Sequence, residues 1–493
     1  MPKFKLPDDL YKYQKEDAET LISLGSALNF SEMGVGKTPE AIWVVEKGGF
    51  NLPLIICPNS LRLEWERQVT DWIGPGNCAV CGGDSVMKGG AIIQSFKKNQ
   101  KYRILNYESL RSPFILEMLS YLPFDIIIFD EIHKLRNPRT IMVEGKVKKA
   151  TDAFSVSRER EGGVWNFLNQ HQNAVVLGLS GSPIMNYPND LYVPLSCVRS
   201  DKYPRSINPW RHFMYKYCMW SEGRYGAYIY GTRNLSGLRE ETSSFIIRRT
   251  KKEVLPFLPE KYYRRTTLEM RPDQRKVYNQ MESELKVLLD TGEPLWSTNV
   301  LTTLTRLRQM NLDPNILGIS TSSAKTDFIM DTIEGMIKGV GEHMGGSGEK
   351  LVIFSCFERY IDLLSRKLGD TIPHVVITGR VHPDKRIDAV KKFQNEDEIR
   401  VCLGTIHAMG EGVTLTAASN CLIADRWWNS PTNQQAEDRL HRIGQKNAVQ
   451  ILLPIVGESI DAILDEILER KHEASSAYYQ EQTVRDTVLG GLR

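Results

Sequence analysis

Glu32-Met33-Gly34-Val35-Gly36-Lys37-Thr38 is the most informative stretch in this chain of 493 residues. Its two glycines let the backbone N–H groups of Met33, Gly34, Val35 and Gly36 curl around a phosphate. Lys37 then reaches the β and γ oxygens of a nucleoside triphosphate, and Thr38 offers a hydroxyl to Mg2+. A helical stretch with an apolar end precedes the loop, and helix-forming residues follow it. The full GxxxxGKT spacing has a glycine where this chain carries Ser31. Taken alone, the loop can therefore also be read as a glycine-rich turn in another kind of α/β enzyme.

A second element separates those readings. Phe124-Asp125-Ile126-Ile127-Ile128-Phe129 is an apolar run of strand length that ends on Asp130-Glu131, followed by Ile132-His133. Asp130 fits the carboxylate that anchors a Mg2+ shell, and Glu131 the neighbour that polarises an attacking water. Hydrolysis also needs cations where charge develops on the γ-phosphate. Gln435-Ala436-Glu437-Asp438-Arg439-Leu440-His441-Arg442-Ile443-Gly444-Gln445 offers them, since Arg439 and Arg442, three apart, share a face if the segment is helical. The plainer reading is a surface charge cluster on an amphipathic helix. As arginine fingers they would lie in the other lobe from Lys37, act across a cleft and couple lobe closure to hydrolysis.

Around these motifs, apolar runs alternate with helical patterns. The first half shows Leu52 to Cys57, Tyr102 to Asn106, Ile126 to Phe129 and Ala174 to Leu179. The second shows Lys350 to Ser355, Pro373 to Thr378, Val401 to Thr405, Asn420 to Asp425 and Val449 to Ile455. The alternation predicts two α/β lobes with parallel sheets. Residues 1–255 and 256–475 are expected to form the lobes and 476–493 a tail. Between about 208 and 317 the pattern is long-helical, predicting helical protrusions at 200–245 and 270–317. Gly339 to Gly348 reads as a flexible loop.

Composition sets the bounds. At 41% hydrophobic and 25% charged, the chain has the mix of a soluble protein that buries cores, and its length suggests about three globular units. Lys+Arg 63 against Asp+Glu 60 leaves +3, so any nucleic-acid surface must be local. No apolar run approaches the ~18 residues of a membrane span, and MPKFKLPDDL lacks the apolar segment of a secretory signal. Eight scattered cysteines read as reduced thiols. A cytoplasmic monomer with no membrane association is expected, nucleoid-associated, or nuclear in a eukaryotic host. Cys78-Ala79-Val80-Cys81 has metal-ligand spacing but lacks the second pair of a four-ligand zinc site. His133 is expected to bond to the Ser180 segment.

Taken in order from about Leu10 to Ile455, the motifs resemble those of superfamily-two helicase-fold ATPases of the SWI/SNF-type DNA translocase family. Tyr13-Gln14 resembles the adenine-reading Q motif. Ile56 to Leu61 with Trp65, and Asn106 to Leu110, resemble DNA-contacting segments of the first lobe, and Leu179 to Asn186 resembles the coupling motif. Phe245 to Lys251 followed by Leu258-Pro259-Glu260-Lys261 is a signature of this family and not of helicases at large, and Leu304 to Met310 adds to it. Val352 to Phe357, Thr378-Gly379-Arg380, Gly410 to Ala418 and Trp428-Asn429 line up with second-lobe motifs. The acidic box reads DEIH where DEAH is usual. Ile406, His407 and Met409 stand where Thr, Arg and Gly are common. These variants look closest to the annealing-helicase branch.

The resemblance implies two tandem RecA-like lobes with SWI/SNF-type helical protrusions, ATP and Mg2+ as cofactors, and double-stranded DNA, forked or junction DNA included, as partner. Motors of this kind walk along one strand of a duplex without separating it and remodel protein–DNA complexes or DNA junctions, meeting other proteins on DNA. Stepping tolerates any sequence because phosphate contacts position without reading bases. By resemblance, Gln14 reads adenine and Gly412 lies at the nucleotide. Pro58, Ser60, Arg62, Tyr107, Ser355, Arg380 and Trp428 are the candidate DNA contacts, with surface or packing roles as the alternative for each. The basic clusters Arg248-Arg249-Lys251-Lys252 and Lys261-Arg264-Arg265 either meet DNA or partner nearby acids. A strand-separating or annealing helicase, or an RNA-polymerase-recycling motor, shares these motifs. An ATP-gated DNA clamp or scaffold is the alternative of another class.

Overall fold

The computed structural model describes residues 2–136, 141–143, 146–148, 163–184, 187–223, 226–290, 298–338, 349–409, 413–428, 430–466 and 468–469. They form two compact units, one ending at Pro256 and the other beginning at Phe257.

The first unit is built on β1 (Ala27–Asn29), β2 (Pro53–Cys57), β3 (Cys78–Val80), β4 (Tyr102–Asn106), β5 (Ile126–Asp130), β8 (Val175–Leu179) and β11 (Ile246–Ile247). These form one sheet in the order β11-β1-β8-β5-β2-β4-β3, with every pair parallel. β6 (Ile141–Val143) and β7 (Lys146–Lys148) form a separate antiparallel pair. Successive strand residues point to opposite faces. Ile55, Ile104, Ile126, Ile128 and Leu177 thus enter one apolar layer with Ala18 of α1 (Lys12–Leu24), Ile42 of α2 (Lys37–Lys47) and Trp65 of α3 (Arg62–Ile73). Leu54, Ile56, Leu105, Ile127 and Phe129 enter the other. A sheet covered on both faces needs unbroken apolar strands, which is why these runs were legible.

The stretch read as long-helical is mixed. Helices Ile207–Tyr217 and Leu235–Thr242 flank an antiparallel hairpin of β9 (Cys218–Gly223) and β10 (Gly226–Thr232). Ala-Tyr-Ile-Tyr and the glycines at 223 and 226 favour strands and a turn over helix. Further on, the helices Pro272–Asp290 and Thr298–Leu312 pack together through Tyr278, Leu307 and Met310.

In the second unit, β12 (Lys261–Leu268), β13 (Leu351–Ser355), β14 (His374–Ile377), β15 (Val401–Thr405), β16 (Asn420–Ile423) and β17 (Val449–Val456) run in the order β12-β17-β16-β13-β15-β14. All are parallel. Val352, Phe354, Cys402 and Ile423 fill one face and Leu351, Ile353, Leu403 and Leu422 the other. The chain is therefore α/β with two tandem parallel-sheet lobes. Among the described residues no helix is long and apolar enough to cross a membrane. The expected flexible loop at 339–348 and the tail at 476–493 lie outside the described residues.

Candidate active site

Parallel strands deliver their carboxyl ends to one edge of a sheet. In the first unit the neighbours β11, β1, β8 and β5 therefore bring together Arg248 to Lys251, the lysine loop, Ser180-Gly181 and Asp130-Glu131. The stretch directly before the loop is strand β1, with the expected helix α1 one element earlier; Gly25, at φ 71, makes the break between them.

Gly34 and Gly36 sit at φ 81 and 85, a region that side chains strain to enter. Gly36 has a second constraint, because a Cβ there would lie 2.2 Å from Gln14 Nε2. Ser31 is not left-handed: among the described residues only Asn99, Glu131, Asn234 and Glu458 take positive φ without being glycine. Its buried hydroxyl accepts the Arg249 N–H at 3.0 Å, and its own N–H donates to Asn29 Oδ1 at 3.0 Å. The departure from the usual loop spelling thus has a structural use. Ser31→Gly, which restores that spelling, is expected to cost about 1 kcal/mol by removing the acceptor of the part-buried Arg249 N–H. Thermal melting checks this, with a fall of about 2–4 °C per kcal/mol.

Lys37 Nζ donates to the Ser31 and Glu32 carbonyls at 2.7 and 3.0 Å. Burial pushes its pKa down, against the pull of Glu131, Asp130 and Glu40. Thr38 is the second residue of α2. Gln14 is buried; its Nε2 donates to the Val35 and Gly36 carbonyls at 3.2 and 3.1 Å, and its Oε1 accepts from Tyr11 N at 2.9 Å. Tyr13 donates its hydroxyl to the Val35 carbonyl at 2.5 Å. The segment resembling an adenine reader is built into the wall of the loop, with both ends of the Gln14 amide engaged. Met33 packs so closely that a Cβ on Gly181 would lie 2.3 Å from its Cγ.

Asp130 Oδ2 accepts from Trp65 Nε1 at 2.8 Å and Oδ1 from the Glu131 N–H at 3.0 Å. Its carboxyl is pushed up to about 7 by burial and then by the Glu131 carboxylate, opposed by Trp65 and Lys37. Glu131 itself takes φ 54 and ψ 48, a strained conformation of the kind stored at functional sites. Its Oε2 lies 3.1 Å from His133 Nδ1, which is also 3.0 Å from Ser180 Oγ. The expected bond from His133 to the Ser180 segment is present. Two adjoining acids that repel each other beside a lysine loop suit a divalent cation, with Thr38 able to add a neutral oxygen. The donor set therefore fits Mg2+.

Two residues placed by resemblance among the DNA contacts, or beside them, serve this site instead. Trp65 is buried and holds the Asp130 carboxylate. Tyr107 is buried, donates its hydroxyl to the Asp130 carbonyl at 2.7 Å, and so offers no group to a surface ligand. The basic cluster at 248–252 partners acids: Arg249 makes bonds of 2.6 to 3.0 Å to buried Asp17, and Arg248 Nη2 lies 3.8 Å from Glu32, which also accepts from the Lys251 backbone N–H at 2.9 Å. Sequence spacing gave no signal for these contacts.

In the second unit, the helix Ser430–Glu437 ends before the arginines. The expectation that Arg439 and Arg442 share a helical face is not met. The Arg439 carbonyl accepts from Leu415 N at 2.9 Å and the Leu440 carbonyl from Gln445 Nε2 at 3.1 Å, so neither continues a helix. Arg442 Nη1 donates to Thr414 Oγ1 at 3.0 Å. Lys261 Nζ donates to Glu437 Oε2 at 2.8 Å and lies 3.6 Å from Asp438. His441 Nε2 lies 2.7 Å from the Pro259 carbonyl. Gly412 lies outside the described residues.

The remaining candidate DNA contacts divide by exposure. Ser355 is fully buried and gives its hydroxyl to Asp425, so it too lacks a surface group. Pro58 is buried, Ser60 exposed, and Arg62 half-buried with Nη1 on the Cys81 carbonyl at 3.2 Å. Arg380 is exposed beside Glu358 and Asp362 at 3.2 and 3.4 Å. Trp428 is half-buried beneath Arg308, 4.5 Å from its ring centre. Cys78 and Cys81 are buried thiols, the latter pushed up to about 11 by burial. Among the described residues no group of three or more His, Cys, Asp or Glu is placed to hold a metal.

Two parallel sheets in tandem, one carrying a lysine loop after β1 and an Asp-Glu end on β5 with only β8 between them, place the protein in the superfamily-two helicase-fold class. Comparison makes the family specific. The SNF2-related domain matches residues 13–156 and 164–316, and the helicase conserved C-terminal domain matches 330–444; the chain belongs to the SNF2-related family.

Its relatives include an uncharacterized ATP-dependent helicase of Mycoplasma pneumoniae, 27% identical over 483 residues that cover 95% of this chain and 42% of the relative. The DNA annealing helicase and endonuclease ZRANB3 of Bos taurus is 26% identical over 485 residues, covering 96% and 41%. The SWI/SNF-related matrix-associated actin-dependent regulator of chromatin subfamily A-like protein 1 of Xenopus tropicalis is 26% identical over 478 residues, covering 95% and 44%. The chain thus spans less than half the length of each. Among solved structures, the Sulfolobus solfataricus SWI2/SNF2 ATPase core in complex with dsDNA covers 97% of this chain and 96% of its own at 21% identity, with a TM-score of 0.41.

Proposed function

We propose that the chain is the motor of an ATP-dependent double-stranded DNA translocase that remodels protein–DNA complexes or DNA junctions, including forks. The observation that carries this reading is the meeting of Lys37, Asp130 and the Glu131–His133–Ser180 cluster on adjacent strand ends, in a chain of the SNF2-related family. Relatives named as annealing helicases support the choice of DNA. The proposed working place is wherever DNA and ATP meet: cytoplasm, nucleoid or nucleus.

In this mechanism the loop N–H groups and Lys37 bind the β and γ phosphates. Thr38 and Asp130 would hold Mg2+, which when bound would supply charge neutralisation on the phosphate oxygens. Glu131, fixed by His133, orients and deprotonates the attacking water. Arg439 and Arg442 neutralise the charge that develops on the γ-phosphate. Ser60, Arg62, Arg380 and Trp428 are the proposed contacts to DNA.

A triplex-displacement assay beside a strand-displacement assay tests the reading. A translocase strips the third strand with ATP and leaves the duplex paired. Strand separation without triplex release would instead favour the helicase alternative.

A further inference from the structure

The family signature at 245–261 is absorbed by neither the hydrolysis chemistry nor the DNA contacts, yet each of its ends is bonded, within its own unit, to a segment that the proposed mechanism uses. At one end, inside the first unit, Arg249 grips buried Asp17 through Nε and Nη2, its N–H donates to the Ser31 hydroxyl, and its carbonyl accepts from Glu32 N at 2.9 Å. Ser31 and Glu32 are the two residues whose carbonyls hold the Lys37 ammonium. Asp17 lies on α1, whose Gln14 bonds the other side of the loop. Arg249 thus ties β11 to both walls that fix where Lys37 sits.

At the other end, inside the second unit, Lys261 lies on β12, twelve positions later in the chain. Its ammonium bonds Glu437 and faces Asp438, the two residues directly before Arg439. Tyr263, on the same strand, donates its hydroxyl to the same Glu437 oxygen at 2.6 Å. The Pro259 carbonyl meets His441, which lies between the two arginines. Glu437 is almost wholly buried, so loss of its cation leaves a desolvated carboxylate at the point where the helix gives way to the arginine segment.

We propose that Arg249 and Lys261 are positioning residues for ATP hydrolysis, Arg249 setting the phosphate loop and Lys261 setting the segment that carries Arg439 and Arg442. The inference rests on the ATPase reading above. Neither side chain touches the reacting atoms; each acts through the residues it holds. Their consequences separate because the loop binds the nucleotide while the arginines serve only the transition state.

The test is steady-state ATP hydrolysis by the full chain with duplex DNA, alongside thermal melting. Misplacement of about 1 Å costs up to about 10²-fold, so a smaller shift is expected to cost about tenfold. Arg249→Met raises KM for ATP by that factor. Because Lys37 also acts on the γ-phosphate at the transition state, the variant lowers kcat as well, so that a rise in KM is the mark of the Arg249 variant alone. Lys261→Met lowers kcat by that factor with KM unchanged, and Lys261→Arg recovers most of it. Lys261→Met combined with Glu437→Gln is no worse than Lys261→Met alone, because both act through one bond.

The same change in KM for both variants, or wild-type values for both, would overturn the inference. Should a methionine variant fail to fold, Arg249→Lys and Glu437→Gln are expected to give the same split at smaller amplitude, and its absence there overturns the inference as well. Failure of the wild-type chain to hydrolyse ATP overturns the proposed function itself, whereas wild-type turnover without the split overturns this inference alone.

Discussion

Replacing Lys37 by alanine is expected to lower kcat for ATP hydrolysis on the order of 10³-fold or more, the scale on which single preorganised charges act at a transition state. The ammonium is the cation of the loop, with Asp130 and Glu131 acting on it electrostatically. The fold should survive the change. Truncation gives up the bonds to the part-buried Ser31 and Glu32 carbonyls, a cost of about 1–3 kcal/mol, and offsets part of it by removing a buried ammonium whose charged form burial disfavours. Steady-state hydrolysis with a melting curve checks both halves. A folded Lys37→Ala variant with near-normal turnover would remove the loop from the mechanism.

Arg442→Ala is the second large effect, an expected loss of about 10³- to 10⁵-fold in kcat, the worth of an arginine finger. The residue is half-buried, and its bond to Thr414 Oγ1 is a neutral acceptor contact. Truncation should leave the fold standing, as a melting curve checks, and leave DNA affinity largely in place. Arg442→Lys keeps the charge without the planar fork and should fall between the two. Hydrolysis measured with and without duplex DNA, beside DNA binding at one salt concentration, gives the comparison. Near-normal DNA-stimulated turnover by Arg442→Ala would sink the finger assignment.

How much could be read in advance depended on how local each signal was. The runs at 102–106 and 401–405 coincide with strands because both faces of a parallel sheet are apolar, so the composition of a short window suffices. β12 was invisible for the opposite reason. It is an edge strand reading Lys-Tyr-Tyr-Arg-Arg-Thr-Thr-Leu, half exposed, with no apolar run to mark it. The lysine loop and the Asp-Glu strand end were legible because phosphate and metal chemistry fix residue types at close spacing. The end of the Ser430–Glu437 helix was not, since just past it the Arg439 carbonyl is claimed by Leu415 N from another part of the fold and the Leu440 carbonyl by the Gln445 side chain.

The supports of the site were the least legible part. Arg249 meets Asp17 from 232 positions away and Trp65 meets Asp130 from 65, distances at which no spacing rule operates. Tyr107 and Ser355 show the related hazard of carrying a role by resemblance alone. Both stand at motif positions, and both spend their hydroxyls inside the protein. The densest basic run is likewise engaged inside the first unit, Arg249 with Asp17 and Arg248 with Glu32.

The central claim is that ATP hydrolysis by this chain is driven by duplex DNA. It is tested most directly by ATPase rates on duplex, single-stranded and forked DNA and on RNA, under one salt condition because such affinities fall steeply with salt. The account predicts strong stimulation by duplex or forked DNA, abolished by Lys37→Ala and Arg442→Ala. A rate indifferent to every nucleic acid would contradict it and leave a nucleotide-gated clamp or scaffold as the better description.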